Sequence, residues 1–390
     1  MASLFSACKS AVRNKAGGTY NIGGYDIDLE YYSQSDIDAD VAYGDITFGD
    51  SDESKILLVA DSTITIPSGY TLTPDSPKKS LVIFCNNLIN NGTISMYQKA
   101  PNVLPHNYFI IEGKYFGSER DVTIPAYADN GIPRTNLQNN DSSKNIARTG
   151  INGNNGTSRQ CGSGGTGCAG LIGNNWQAKY IGATGSGYAF GGGAGSGGMY
   201  WGEISTSTPS SSPDVDSTYP MRGGNASINN YSGAISGGGV GNPVGTSYES
   251  NGSVTSKYTQ NFGCGGRIII FCVSFINNGI ITVNGTDSKS FNFGKIYESF
   301  GGASGAGAVD MFYTSLTKEG TITAVGGNNF VVNHDTYNHS PGKGGNGSIT
   351  LTPWTMDKLF KGEIKYFSNA NVNYLLTELA ERIRDSHMGE

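Results

Sequence analysis

Charge is scarce in this chain. Of its 390 residues only 15% are Asp, Glu, Lys or Arg, against roughly 25% in an average soluble domain. The 32 acidic and 26 basic side chains leave a net charge of −6, too mild for charge-driven disorder. An isoelectric point near 5.3 excludes nucleic acid as the main partner, because such binding draws on a basic surface. No apolar run approaches the ~18 to 20 residues that cross a bilayer as a helix. Cysteine is sparse as well. Six in 390 residues is far below the density of a disulfide scaffold. Cys161 and Cys168 flank a glycine run (CGSGGTGC) with no second pair to complete a zinc site. They leave two readings, a disulfide pinning a loop or free thiols, of which the second is preferred. Met1 to Ala16 places Lys9 and Arg13 where a secretory signal needs its apolar core, so no such signal is expected.

Glycine and asparagine fill the space that charge leaves. There are 58 Gly and 36 Asn, yet no every-third-residue glycine period, which excludes collagen. The most informative pattern is an internal repeat. Ile83 to Met96 reads IFCNNLINNGTISM, Ile270 to Val283 reads IFCVSFINNGIITV, and Met311 to Val325 reads MFYTSLTKEGTITAV. The three align without a gap around Gly92, Gly279 and Gly320. Each unit is a run of β-formers, a tight turn ending in Gly, and a second alternating strand. Gly347 to Leu351 (GSITL) is a clipped fourth copy. Cys85 and Cys272 share one slot, held by Tyr313 in the third unit, so they are expected to be small apolar fillers rather than reactive thiols.

Between the first two units, Gly150 to Gly266 is the glycine store, with GSGGTG at Gly162, GGGAGSGG at Gly191 and SGGGVG at Ser236. Each Gly costs a helix ~1 kcal/mol against Ala, so helices are excluded. A flexible linker would lack large aromatics, and this stretch carries Trp176, Tyr188, Tyr200, Trp201, Tyr219 and Tyr231. Packed, extended glycine strands hydrogen-bonded side by side are the preferred reading. Tyr25 to Ser54 holds ten acidic residues and no basic one. On a strand, Asp36, Asp38 and Asp40 would share a solvated face. Val41 and Thr47 stand where a calcium-binding EF-hand loop needs Gly and Glu. The one helix expected from periodicity is C-terminal, with Val372, Leu375, Leu376, Leu379 and Ile383 on one stripe. Five regions follow: an acidic attachment region (1–56), a first β-repeat domain (57–149), the glycine-rich region with aromatic loops (150–266), a second β-repeat region (267–352) and a helical tail (353–390).

No catalytic constellation stands out. His334 and His339 flank Asp335 at a spacing that matches no standard metal site. PGKGGNG at Pro341 lacks the Ser or Thr that a phosphate loop needs after Lys343. No catalytic residue, metal ligand or cofactor is expected. Tyr, Trp, Asn, Ser and Gly are instead the vocabulary of loops that recognise ligands through aromatic area and adaptable hydrogen bonds. Trp176, Tyr188, Tyr200, Trp201, Tyr219 and Tyr231 are therefore the candidate binding residues, the alternative being that they brace the glycine strands.

The glycine tracts with interspersed aromatics, and the recurring unit around NNG, resemble the glycine-rich tail-fibre and tip-adhesin proteins of bacteriophages and phage-tail-like bacteriocins. The likeness covers roughly Gly150 to Gly347. It implies a mostly β chain of repeated strand units and packed polyglycine-II-like segments; the acidic N-terminus and the C-terminal helix expected from periodicity are not part of the likeness. It also implies a virion protein, made in the host cytoplasm and released by lysis, that adheres without catalysis to a bacterial surface glycan or protein. Its other expected partners are tail proteins and further copies of itself, with a trimer favoured. A polysaccharide-cleaving β-solenoid tailspike and a purely structural virion component are the alternatives.

Overall fold

The computed structural model describes residues 4–22, 25–101, 109–111, 114–116, 152–157, 198–201, 246–248, 254–257, 264–287, 297–300, 303–329, 332–333, 338–339 and 342–353. Among them 47% lie in strands and 11% in helices, so the described body is mostly β. The chain opens with α1 (Leu4–Asn14), β1 (Gly18–Ile22), β2 (Tyr25–Tyr32), α2 (Gln34–Tyr43), β3 (Ile46–Phe48), β4 (Ile56–Ile66), β5 (Thr71–Pro74), β6 (Ser80–Asn90) and β7 (Thr93–Ser95). Short strands follow at β8 (Phe109–Ile111), β9 (Lys114–Phe116), β10 (Gly198–Trp201), β11 (Thr246–Tyr248) and β12 (Val254–Lys257). The remainder is β13 (Arg267–Asn277), β14 (Ile280–Thr282), β15 (Tyr297–Phe300), β16 (Ala308–Tyr313), β17 (Ser315–Lys318), β18 (Thr321–Thr323), β19 (Val332–Asn333), β20 (Asn338–His339) and β21 (Ser348–Pro353).

Two largely parallel sheets form the body. The first has eight strands, ordered β1-β2-β4-β6-β13-β16-β21 with β17 continuing β16 beside β13. Its only antiparallel pair is β1 with β2. The second has five strands, ordered β18-β14-β7-β5-β3, all parallel. β6 and β13 pair in register although Asn90 and Asn277 are 187 residues apart. Phe84 faces Phe271, Cys85 faces Cys272, and Phe271 in turn faces Phe312. Ile94, Ile281 and Ile322 line up in the same way in the second sheet.

The turns at Gly92, Gly279 and Gly320 are corners between the sheets and not hairpins. The strands on either side of each turn pair with their equivalents in neighbouring units, never with each other. The reason is how closely the corners stack. Ile280 N–H donates to Gly92 O at 2.8 Å and Thr321 N–H to Gly279 O at 2.9 Å. A Cβ on Gly279 would sit 1.9 Å from Gly92 O, and one on Gly320 2.0 Å from Gly279 O. Only glycine permits that approach. Asn90 and Asn91 reinforce the corner with side-chain amide bonds to Asn277 and Asn278 at 2.7 and 2.8 Å. The clipped copy GSITL takes a different place. It opens β21, which joins the first sheet beside β16 rather than continuing the second.

Alternation along the strands sends side chains to two cores. Leu57, Val59, Leu81, Ile83, Cys85, Ile268, Ile270, Cys272, Ile281 and Val309 fill the wedge between the sheets. Ile56, Leu58, Ala60, Val82, Phe84, Ile269, Phe271 and Phe312 belong to the opposite face of the first sheet, in one cluster with Leu4, Ala7, Cys8 and Ala11 of α1. Phe271 stacks on Phe312 with ring centroids 5.1 Å apart.

The N-terminal region departs from the sequence expectation. β2 and β3 extend the two sheets, so the acidic stretch is built into the same body. Asp36, Asp38 and Asp40 lie on α2, not on a strand. Asp36 closes a capping box, accepting from Ser33 N–H at 2.6 Å, and Gly44, with φ 93°, ends the helix. These local caps outweigh the alternating acidic pattern. Both helices among the described residues are N-terminal, and the C-terminal helix expected over Asn371–Arg384 lies outside the described residues.

Candidate functional site

The site begins where the chain leaves the two sheets. From β4 onward passage from first sheet to second is through a short turn, whereas β2 reaches β3 through α2. Passage back is short in the early units and long in the later ones. Residues 96–266 separate β7 from β13, residues 283–307 lead from β14 to β16, and residues 324–347 lead from β18 to β21. Each of these three excursions starts after a second-sheet strand and returns before a first-sheet strand.

The last two run out and back through glycine-rich segments that hydrogen-bond to each other every third residue. Ser304 and Gly307 N–H donate to Thr286 and Val283 O, which sets the outgoing and returning segments of one excursion antiparallel. Gly344 and Gly347 N–H donate to Gly327 and Ala324 O and do the same for the next. Ala303 and Ala306 N–H donate to Gly342 and Gly345 O, joining the two returning segments in parallel. Gly153 and Gly156 N–H donate to Lys343 and Asn346 O, adding residues 152–157 from the first excursion. Asparagine side chains repeat the period. Asn152 and Asn155 Oδ1 accept from Lys343 and Asn346 N–H at 2.8 and 2.9 Å. A three-residue period is that of an extended, polyproline-II-type chain, whose backbone groups point outward and need neighbours.

This bundle gathers the exits. Ala303 N–H donates to Gly342 O at 3.0 Å, and Asn328 N–H to Asp287 Oδ1 at 2.7 Å. The feet of the second and third excursions are therefore side by side. β10, β15, β11 and β12 form a separate antiparallel sheet in that order. β10, β11 and β12 belong to the first excursion and β15 to the second, so the two excursions interlock.

The sequence candidates fall unevenly on this arrangement. Tyr200 and Trp201 stand on β10, opposite Glu298 and Tyr297 of β15. Trp176, Tyr188, Tyr219 and Tyr231 lie outside the described residues, as do Cys161, Cys168 and the tracts Gly162–Gly167, Gly191–Gly197 and Ser236–Gly241. Tyr297 and Tyr248 were not singled out from sequence. Their relation to Trp201 exists only through strand register, which leaves no local signal.

A cluster of charged groups surrounds Lys78, just before β6. Lys78 is fully buried, and its Nζ reaches Glu30 Oε1 at 3.0 Å, Asp50 Oδ1 at 2.9 Å and Asp52 O at 3.0 Å. Lys55 also bonds Asp50. These hydrogen bonds, from Lys55 first and then from Lys78, hold the Asp50 carboxyl well below its ordinary range. The cluster ties β2 to the connections after β3 and before β6, and is a staple. A second buried pair joins the sheet strands, with Arg267 Nε and Nη2 donating to Asp310 Oδ2 at 2.9 and 2.7 Å. Burial raises the Cys272 thiol to about 12 and the Cys264 thiol to about 11. Cys8, Cys85, Cys264 and Cys272 are all free and buried. Among the described residues no group of three or more His, Cys, Asp or Glu is gathered as a metal site.

No family model, curated protein or solved structure matches this chain.

Proposed function

We propose that the chain is a virion tail-fibre or tip-adhesin protein that attaches non-covalently to a bacterial surface glycan or protein. The observation that carries this reading is the division of the chain into a stacked body and excursions that leave it through one glycine bundle. Tightly hydrogen-bonded extended segments have little freedom. They are suited to holding loops at a distance from the body, where recognition residues vary without disturbing the core. The three-residue hydrogen-bond period supports a polyglycine-II-like packing, the feature by which the sequence resembles tip adhesins. On this reading the repeated strand units are the mount, the excursions are the receptor-binding end, and neither a catalytic residue nor a cofactor takes part. The protein would sit on the virion among other tail proteins, as a homo-oligomer with a trimer favoured, and leave the host at lysis.

The test is adhesion. Fluorescently labelled chain is expected to bind a subset of strains in a bacterial panel, and to compete there with the virus that carries it. A variant with residues 288–302 replaced by a short Gly/Ser linker should keep its melting temperature and lose adhesion. Retained adhesion in that variant would remove the excursions from the site.

The parallel, in-register stacking of the units favours one second reading, a β-solenoid tailspike that cleaves polysaccharide. Release of reducing ends from envelope polysaccharide by the purified chain would establish it. Adhesion without such release favours the adhesin.

A further inference from the structure

Asparagine followed by glycine is a reactive pair in any chain. The glycine nitrogen, with no Cβ beside it to obstruct the approach, attacks the Asn side-chain carbonyl. Ammonia leaves, a five-membered succinimide forms, and one water opens it to aspartate or isoaspartate. The attacking nitrogen has to give up its proton, so a glycine N–H held in a hydrogen bond is protected. Six such pairs lie among the described residues, at Asn91, Asn152, Asn155, Asn278, Asn284 and Asn346.

Five of them are tied down by the same stacking that builds the body. Gly153, Gly156, Gly285 and Gly347 N–H donate to Lys343, Asn346, Val325 and Ala324 O at 2.8, 2.7, 2.9 and 2.8 Å. Gly279 N–H donates to Asn90 O at 2.9 Å at its corner. Gly92 is the exception. Its equivalent acceptor is Ile66 O, which takes only the Asn91 N–H, at 2.9 Å. The cause is the neighbouring corner. Four residues, Pro67 to Tyr70, join β4 to β5, whereas Asn91 and Gly92 alone join β6 to β7. The longer turn does not follow the shorter one residue for residue. Thr93 N–H therefore finds Tyr70 O at 2.9 Å, while Gly92 N–H has no acceptor among the described residues. Gly92 is buried, so little solvent replaces the missing partner, and such orphaned N–H groups are rare. Asn91 itself is exposed. Asn278 Nδ2 donates to Asn91 Oδ1 at 2.8 Å, which draws electrons from the carbonyl that Gly92 N attacks.

We propose that Asn91 is a site of spontaneous covalent modification, passing through the succinimide to isoaspartate and aspartate in the folded protein while the other five pairs are protected. The chemistry is independent of the adhesin reading. Isoaspartate puts an extra methylene into the main chain, at the corner whose Gly92 O accepts from Ile280 N–H at 2.8 Å. Age is thereby written into the seam where the first unit meets the second.

The experiment needs no variant. The full chain is held in mildly alkaline buffer, folded and, in parallel, unfolded in guanidinium chloride, and is then digested with trypsin. Asn91 falls in the peptide from Ser80 to Lys99, which contains no other Asn–Gly pair, so the amide-to-acid mass gain there reports it. Isoaspartate is counted by enzymatic methylation of its carboxyl. In the folded chain Asn91 should convert at least tenfold faster than Asn278, its counterpart in the next unit. In guanidinium the two should convert within threefold of each other. Equal rates at Asn91 and Asn278 in the folded chain overturn the proposal, as does an Asn91 that reacts only when unfolded. A tenfold difference that persists in guanidinium assigns the reactivity to local sequence and overturns it too.

Discussion

Replacing Gly327 by Ala probes whether the excursions leave through a packed bundle. A Cβ at this position would lie 1.9 Å from Thr286 O, 2.4 Å from Thr286 C and 2.9 Å from Asp287 N. All three atoms are backbone, so no side chain can swing aside, and the neighbouring segment has to move by more than an ångström. Overpacking of this kind costs about 1 to 3 kcal/mol. Gly327 also donates to Ser304 O and accepts from Gly344 N–H, each at 2.9 Å. Losing both bonds adds about 0.5 to 1.5 kcal/mol apiece. The total of about 2 to 6 kcal/mol, at roughly 2 to 4 °C per kcal/mol, lowers the melting temperature by about 4 to 24 °C. Gly18 is the control. A Cβ there meets only the Tyr20 ring, at 3.7 Å, so Gly18→Ala should stay within about 0.5 kcal/mol of wild type. Calorimetry on the two variants decides the matter. Equal melting temperatures for Gly327→Ala and wild type would refute the packed bundle, because no arrangement with Thr286 O at that distance accommodates a methyl group.

Acid should loosen the body at the Asp50 cluster. The carboxyl of Asp50 is depressed by Lys55 and Lys78, so its contribution is complete above the unfolded value of about 3.9 and is lost as pH falls below it. Melting curves between pH 7 and pH 2 should therefore fall more steeply for wild type than for Asp50→Asn, and parallel curves would reject the cluster as a staple. Cys8, Cys85, Cys264 and Cys272 are buried, so a thiol reagent should modify them only after denaturant is added. Rapid labelling of any of the four in the native protein would contradict the two-core packing. Asp310→Asn strips the buried Arg267 of its carboxylate and should cost about 3 to 5 kcal/mol in a denaturant titration. The double change Arg267→Met with Asp310→Leu should cost less than either single change, and additive costs would mean that the two residues do not act as a pair.

The legible part of the fold was its strand content, since the described body is mostly β. Aligning the units on Gly92, Gly279 and Gly320 sets Cys85 against Cys272, and the ladder pairs those two residues. The alignment says that the units are alike, but not how they meet. A strand, a glycine turn and a strand also describe a hairpin, and only close stacking of the glycines makes the turn a corner. α1 was legible and overlooked: Leu4, Ala7, Cys8 and Ala11 recur at helical spacing and are buried together. α2 was obscured because alternate aspartates suggest a strand, whereas Asp36 is a cap and Asp38 accepts from Gln34 at 2.8 Å.

The site was less legible than the fold, and for a reason of topology. A core residue is recognised by the company it keeps along the chain, since period and polarity are local. The sheet that holds Tyr200 and Trp201 is assembled from strands whose order in space, β10-β15-β11-β12, is not their order in sequence. Composition marked Trp201, but it marked Tyr200 equally, and only pairing separates the two faces. The same topology has a physical consequence for the proposed recognition. Because β15 lies between β10 and β11, strands of the first and the second excursion have to be in place together before this sheet exists. A change at either foot of the second excursion, at Asp287 or Ala303, is then felt at β15 without touching it. Binding would respond to the integrity of the glycine bundle, which is why a disturbance at Gly327 should weaken adhesion even below the temperature at which the body unfolds.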